Sequence, residues 1–259
     1  MIRLDMSVTL KTCRVFILVK ALPRPSSKHS ETVCCAGITA YGEFRRLYPV
    51  RFRQLKENAA FGRWDEVEFS YGRPRSDIRS ESCHVAEETI KKTGRQLKKR
   101  EREGVLNPLV ASSALHLANQ GKSLGIIRPQ NTKFYWKKKS STEIEGEREA
   151  YIKAARQISM FDEALDALEP TPYHFQFSFE DGNGKHRYSC ADWEAHATFF
   201  RHRKLTSETQ ALDFLSGKFN DEYPRKGMMF ALGNMAKRPQ TWQLLGVLRV
   251  DYPLQDGLF

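Results

Sequence analysis

The run Lys133-Phe134-Tyr135-Trp136-Lys137-Lys138-Lys139 sets three aromatic rings among lysines. Held extended, it turns Phe134 and Trp136 to one face and Tyr135 to the other. Rings beside cations suit a single-stranded nucleic acid: every base offers a flat face, and stacking one contributes about 1–3 kcal/mol. The competing account is a core strand that runs into a lysine-rich turn. That account suits Phe134 and Trp136 better than it suits the lysines. Lys133, Tyr135, Trp136, Lys137 and Lys138 are therefore candidate nucleic-acid contacts.

Two further groups of cations invite the same reading. Phe44, Arg46 and Tyr48 share one face of an expected strand, Arg45 and Leu47 share the other, and Arg51 and Arg53 follow Pro49. Arg45, Arg46, Tyr48, Arg51 and Arg53 could line a groove by stacking and charge. Equally, Phe44 and Tyr48 could fill a barrel with Arg46 ion-paired to Glu31 or Glu43. Residues 84–103 have helical spacing, which would put Lys91, Arg95, Lys98 and Arg102 in one narrow sector, apart from a stripe of Ala86, Ile90 and Leu97. A row of cations at helical pitch fits a phosphate backbone; a solvated helix face is the plain alternative.

Catalytic chemistry has one opening. Lys28, His29 and Glu31 lie close together before a strand, and Lys28 with Glu31 could belong to a metal-dependent nuclease if folding brought in further carboxylates. Glu31 paired with an arginine is the simpler reading. Gly121-Lys122-Ser123 lacks the first glycine of a phosphate-binding loop, His116 standing in its place. Asp192, Glu194 and His196 do not converge on one metal, and Asp192 reads as a helix cap. No metal and no cofactor are expected.

Charge separates the chain into two parts. Residues 1–139 hold 28 Lys and Arg against 13 Asp and Glu, and residues 140–259 hold 14 against 18. The excess of +11 over 259 residues therefore lies wholly in the first half, which implies a polyanionic partner there. Five scattered cysteines without a CxxC pair suggest buried free thiols. Met1 to Asp5 has no signal-peptide character, and the longest apolar run, Val15 to Val19, is too short to span a bilayer. A cytoplasmic protein without a membrane partner is expected.

Strands are expected at 11–22, 32–39, 43–50 and 64–71, with Gly and Pro punctuation typical of a small antiparallel barrel or sandwich. After the 84–103 helix come a helix from Asn107-Pro108 to about Asn119, strands at 124–127 and 132–136, a polar linker over 139–146 and a helix over 148–161. Residues 173–179 alternate strictly as Tyr, His, Phe, Gln, Phe, Ser, Phe. Asp181-Gly182-Asn183-Gly184 turns that strand into 185–190. Helices over 192–204 and 209–219 and strands over 228–233 and 242–250 complete the chain.

Two stretches carry a resemblance. One is Lys28-His29-Ser30-Glu31-Thr32-Val33-Cys34-Cys35-Ala36-Gly37-Ile38 with Gly42 to Arg53. The other comprises Pro172-Tyr173-His174-Phe175, Asp192-Trp193-Glu194, Phe230 to Asn234, Lys237-Arg238-Pro239 and Leu245-Gly246-Val247. Together they resemble an uncharacterised bacterial family with a dual OB-type domain. The resemblance implies two small barrels and nucleic-acid sensing in prokaryotic defence or repair, and no established reaction. Members often carry Gly-His before Asp-Trp-Glu, sometimes with nearby cysteines; Gly184-Lys185-His186 and a cysteine-free turn stand here, against a metal role.

The sequence thus points to a β-rich α+β protein with two OB-like small antiparallel barrels and intervening helices, as a basic domain over 1–139 and a second over 140–259. Its expected function is binding of single-stranded or distorted DNA or RNA. A metal-dependent nuclease is the alternative, and a subunit that contacts a protein partner in a larger complex is the third reading.

Overall fold

The computed structural model describes residues 10–26, 30–56, 59–74, 77–156 and 166–252. Strand β1 (Lys11–Lys20) contains the run Val15 to Val19, and all five of its residues are buried. Successive side chains of a strand point to opposite faces, so a continuous apolar run needs a core on both sides. Val15 and Ile17 enter one cluster with Leu47, Val67 and Phe69, while Phe16, Leu18 and Val19 enter another with Ile126, Met229 and Leu248. The first cluster fills a barrel; the second is a seam shared by both halves of the chain.

The barrel is built from β1, β4 (Cys35–Ile38), β5 (Phe44–Tyr48), β6 (Asp65–Gly72) and β7 (Ser82–Gln96), after a short hairpin of β2 (Arg24–Ser26) and β3 (Ser30–Thr32). Its order is β1-β4-β5-β7-β6, and β6 pairs back with β1 to close it. All pairs are antiparallel except β5 with β7. At Gly37 a Cβ would stand 2.4 Å from the Phe16 carbonyl oxygen, so the close approach of β4 to β1 requires glycine.

The expected helix over 84–103 is instead mostly β7, and helix α1 (Lys99–Leu106) begins only after it. Bulges explain the misleading period. Between the pairs Ser70–Ala86 and Glu68–Lys91, β6 advances two residues and β7 five. Thr89 bridges this bulge, its hydroxyl accepting from the Ser70 N–H (2.8 Å) and donating to the Ala86 carbonyl (2.6 Å). A second irregularity contains Gly94 at φ +85°. The extra residues stretch the two-residue repeat towards a helical one, and the cationic row dissolves with the helix.

After a 3₁₀ turn at Asn107–Leu109, where the expected longer helix fails to continue, come β8 (Val110–Ala111), α2 (Ala114–Asn119), β9 (Leu124–Ile127) and β10 (Gln130–Lys138). Helix α3 (Ser141–Ala155) occupies most of the expected polar linker. Ser140 caps it, accepting from the Glu143 N–H, while the Glu143 carboxylate accepts from the Ser140 N–H. Ser140→Ala is expected to cost about 1 kcal/mol, read as a lower midpoint in chemical denaturation. The remainder of the 148–161 expectation runs into residues outside the described set.

Strands β11 (Tyr173–Asp181) and β12 (Gly184–Ser189) form the expected hairpin. Asp192 then caps α4 (Trp193–Leu205), followed by α5 (Glu208–Gly217), a π turn (Lys218–Glu222), α6 (Tyr223–Lys226), β13 (Met228–Met235) and β14 (Arg238–Arg249). Phe175, Phe177 and Phe179 are buried with Phe134, Phe199, Phe219 and Phe230 in an aromatic core. Sheets β10-β11-β12 and β14-β13-β9-β8 meet through a parallel bridge between Cys190 and Leu244.

Taken as one strand bent at Arg128-Pro129, β9 and β10 pair with β13 at one end and β11 at the other. With β8 left aside and the Cys190–Leu244 bridge taken as the link from β12 to β14, the second half follows the order of the first, first-second-third-fifth-fourth and back to the first. No helix among the described residues is long and apolar enough to cross a membrane.

Candidate nucleic-acid interface

The register of β10, β11 and β12 decides which side chains share the outer face of that sheet. Phe134 lies opposite Phe177 and is buried, ringed by Phe175, Phe177 and Phe219 at centroid distances of 5.1–5.6 Å. Trp136 follows it inwards and packs on the same core, so it is not an outward platform. By alternation Lys133, Tyr135 and Lys137 take the opposite face. Tyr135 stands opposite Gln176, which stands opposite Ser189; Lys133 stands opposite Ser178, which stands opposite Arg187; Lys137 stands opposite His174. The result is a polar sheet face with a cation on either side of Tyr135 along β10 and a third across the sheet.

The Arg187 guanidinium carbon lies 5.2 Å from the centre of the Tyr135 ring. A guanidinium against a ring face gains cation–π attraction and keeps donors free. Lys133, Lys137, Lys138 and Arg187 are exposed and form no ion pair among the described residues, while Lys185, also exposed, reaches Glu180 at 3.6 Å. At the strand's end His174 contacts Glu143 (3.2 Å), whose carboxyl is lowered to about 2 by the Ser140 N–H and hydroxyl and by His174.

The cations of the first half behave differently. Arg45 bonds Glu43 (2.7 Å) and Arg51 bonds Glu87 (2.7 Å). Arg53 bonds Glu31 (3.1 Å) and the Asp166 carbonyl, and Lys91 bonds Glu68 (2.7 Å). Arg95 approaches Glu66 at 3.8 Å and stacks on Phe16. Arg46 is buried in the seam, donating to the Ser123 carbonyl at 3.0 Å rather than to Glu31 or Glu43. Arg102, also buried, lies 4.2 Å from the Trp64 ring centre and 3.4 Å from Asp251. Tyr48 is 43% exposed and Lys98, just before α1, is exposed. The expected track is therefore largely satisfied by the chain's own acids and carbonyls.

Lys28 lies outside the described residues. Burial pushes the Glu31 carboxyl up, against the pull of Arg53, its bonded partner. No cluster of three His, Cys, Asp or Glu side chains suited to a metal occurs among the described residues.

Residues 110–259 match the family model described as Domain of unknown function (DUF8757), and residues 11–108 match the one described as Domain of unknown function (DUF8758). The chain belongs to the DUF8757 family. No curated protein matches it. The two matched segments meet at Leu109, the last residue of the 3₁₀ turn, so the whole β10-β11-β12 face lies within the DUF8757 segment.

In that segment the sequence singles out Lys133, Tyr135, Trp136, Lys137 and Lys138, and the strand register sets Gln176, Ser178 and Arg187 beside Lys133 and Tyr135. The strict alternation of 173–179 already separated an apolar from a polar face. Assigning the polar face to Tyr135 required the β10–β11 register, which local spacing does not contain.

His196 is buried and fully bonded: the Thr171 hydroxyl lies 2.7 Å from Nδ1 and the Cys190 carbonyl 3.2 Å from Nε2. Burial pulls its pKa down to about 4 from 6.5. The unfolded chain then binds a proton between those values and the folded one does not, so stability falls as pH drops from about 6.5 towards 4. The loss should reach roughly 2–3 kcal/mol, and His196→Gln should flatten that part of a denaturation-versus-pH profile.

Proposed function

We propose that the protein binds single-stranded nucleic acid across the outer face of β10-β11-β12. The observation that carries the reading is Tyr135 flanked by Lys133 and Lys137, with Arg187 against its ring and no acid opposite these cations. A base stacking on the ring and phosphates reaching the cations is how strands are held without sequence reading. The two halves are read as OB-like modules, because both have the five-strand order of that fold and the second, third and neighbouring strands of such modules bind oligonucleotides. On this reading the barrel of the first half serves as a partner module packed against the binding module.

Salt provides the test. Lys133, Lys137, Lys138 and Arg187 can neutralise about four phosphates, and single strands release roughly 0.7 counterion per contact. A plot of log affinity against log salt should then fall with a slope of about −2.8. A flat response would overturn the reading. Labelled DNA and RNA strands in the same titration would separate the two sugars.

A further inference from the structure

A cleft of about 410 Å³ lies where the two halves meet, away from the β10-β11-β12 face. The β4–β5 hairpin and the turn before β7 form one wall, and the 3₁₀ turn, β8 and α2 form the other. Its size falls within the range that holds one small molecule. A Cβ on Gly42 would stand 2.8 Å from Leu109, so the hairpin is seated tightly on the opposite wall.

The lining has three kinds of chemistry. Arg45 stands in one wall ion-paired to Glu43 (2.7 Å), itself a lining residue, and Lys122, exposed and without an ion pair among the described residues, supplies a cation from the far side. Glu81 is buried and fixed: Oε1 accepts from both the N–H (2.7 Å) and hydroxyl (3.0 Å) of Ser123, and Oε2 from the Ser80 hydroxyl (3.3 Å). Leu109, Leu117 and Leu124 give an apolar floor. Tyr41, next in the chain to the lining residue Gly42, is 92% exposed. A ring left in water beside a cleft mouth is suited to cover a flat heterocycle.

An anion, a hydroxyl-bearing middle and a flat apolar ring satisfy these groups together. We propose that the cleft binds a phosphorylated nucleoside, either a free mononucleotide or the phosphorylated end of a strand. Lys122 holds the phosphate, with Arg45 shared between it and Glu43, Glu81 accepts from a sugar hydroxyl or an exocyclic amine, and the heterocycle lies on the leucines beneath Tyr41. The site is separate from the sheet face, so either can fail without the other.

The test is calorimetric titration of the full chain with AMP, with adenosine, and with tetranucleotides with and without a 5′ phosphate. AMP is expected to bind and adenosine to bind at least about tenfold more weakly. Lys122→Glu and Ser80→Trp, the latter filling the cleft from an exposed position, should each weaken AMP at least about tenfold, Lys122→Glu without changing the melting temperature. The tetranucleotide arm uses the Arg187→Glu variant, in which the sheet face is weakened. A tetranucleotide that outcompetes AMP only when it carries the 5′ phosphate identifies a strand end; equal or weaker binding identifies the free nucleotide. Adenosine binding as tightly as AMP, no AMP binding at about 1 mM, or unchanged AMP binding in both folded variants would overturn the proposal.

Discussion

Asp192→Ala should lower the unfolding free energy by about 3–5 kcal/mol, the scale expected when one partner of a buried ion pair is removed. Asp192 is 1% exposed, and each carboxylate oxygen has work at a junction of elements. Oδ1 accepts from Arg63 Nη2 at 2.6 Å and from the Glu194 N–H at 3.0 Å, and Oδ2 accepts from the Val247 N–H at 2.8 Å. Arg63 Nη1 in turn donates to the Val247 carbonyl at 2.6 Å. One ion pair thus joins the barrel, the start of α4 and both backbone groups of a β14 residue. Truncation strands a buried guanidinium and leaves the Val247 N–H without its acceptor. The double change Asp192→Leu with Arg63→Met should cost less than Asp192→Ala alone, because no charge is left stranded. Urea denaturation of the three chains gives the comparison, and a loss under about 1 kcal/mol for Asp192→Ala would contradict the role assigned to the pair.

The second large effect is on binding. Tyr135→Ala should weaken a single strand by about 1–3 kcal/mol, or roughly five- to 150-fold, by removing one stacked base. Adding Arg187→Glu removes the guanidinium that rests on that ring and reverses a charge, so the pair should lose at least about 100-fold. The same number of substitutions in the first half, Lys91→Glu with Arg95→Glu, should cost far less, since Lys91 already bonds Glu68 and Arg95 already faces Glu66 and Phe16. Fluorescence anisotropy of a labelled strand, at one salt concentration for all variants, reads the difference.

The contrast between those two pairs of residues marks where sequence reading succeeds and where it fails. Local signals were legible when the structure that answers them is local. The alternation of 173–179, the turn at Asp181-Gly182-Asn183-Gly184, the cap at Asp192 and the strands expected at 11–22 and 124–127 all depend on neighbours within a few residues. The aromatic–lysine run of β10 was legible for the same reason. The bulges of β7 were not, because a bulge is defined by the partner strand and lengthens the apparent repeat. Nor was the fate of the cations: Arg53 meets Glu31 across 22 positions and Arg102 meets Asp251 across 149. Net charge counted them as available, whereas the fold spends them on internal partners. Arg187 was hidden by the opposite effect, a lone arginine in a short strand that gains meaning only beside Tyr135.

Cross-linking tests the central claim most directly. A single strand carrying a photoreactive pyrimidine, irradiated with the protein and mapped by mass spectrometry, should attach to Tyr135, with further adducts confined to β10, β11 and β12. Adducts on β7 or α1 with none on that sheet would contradict the account.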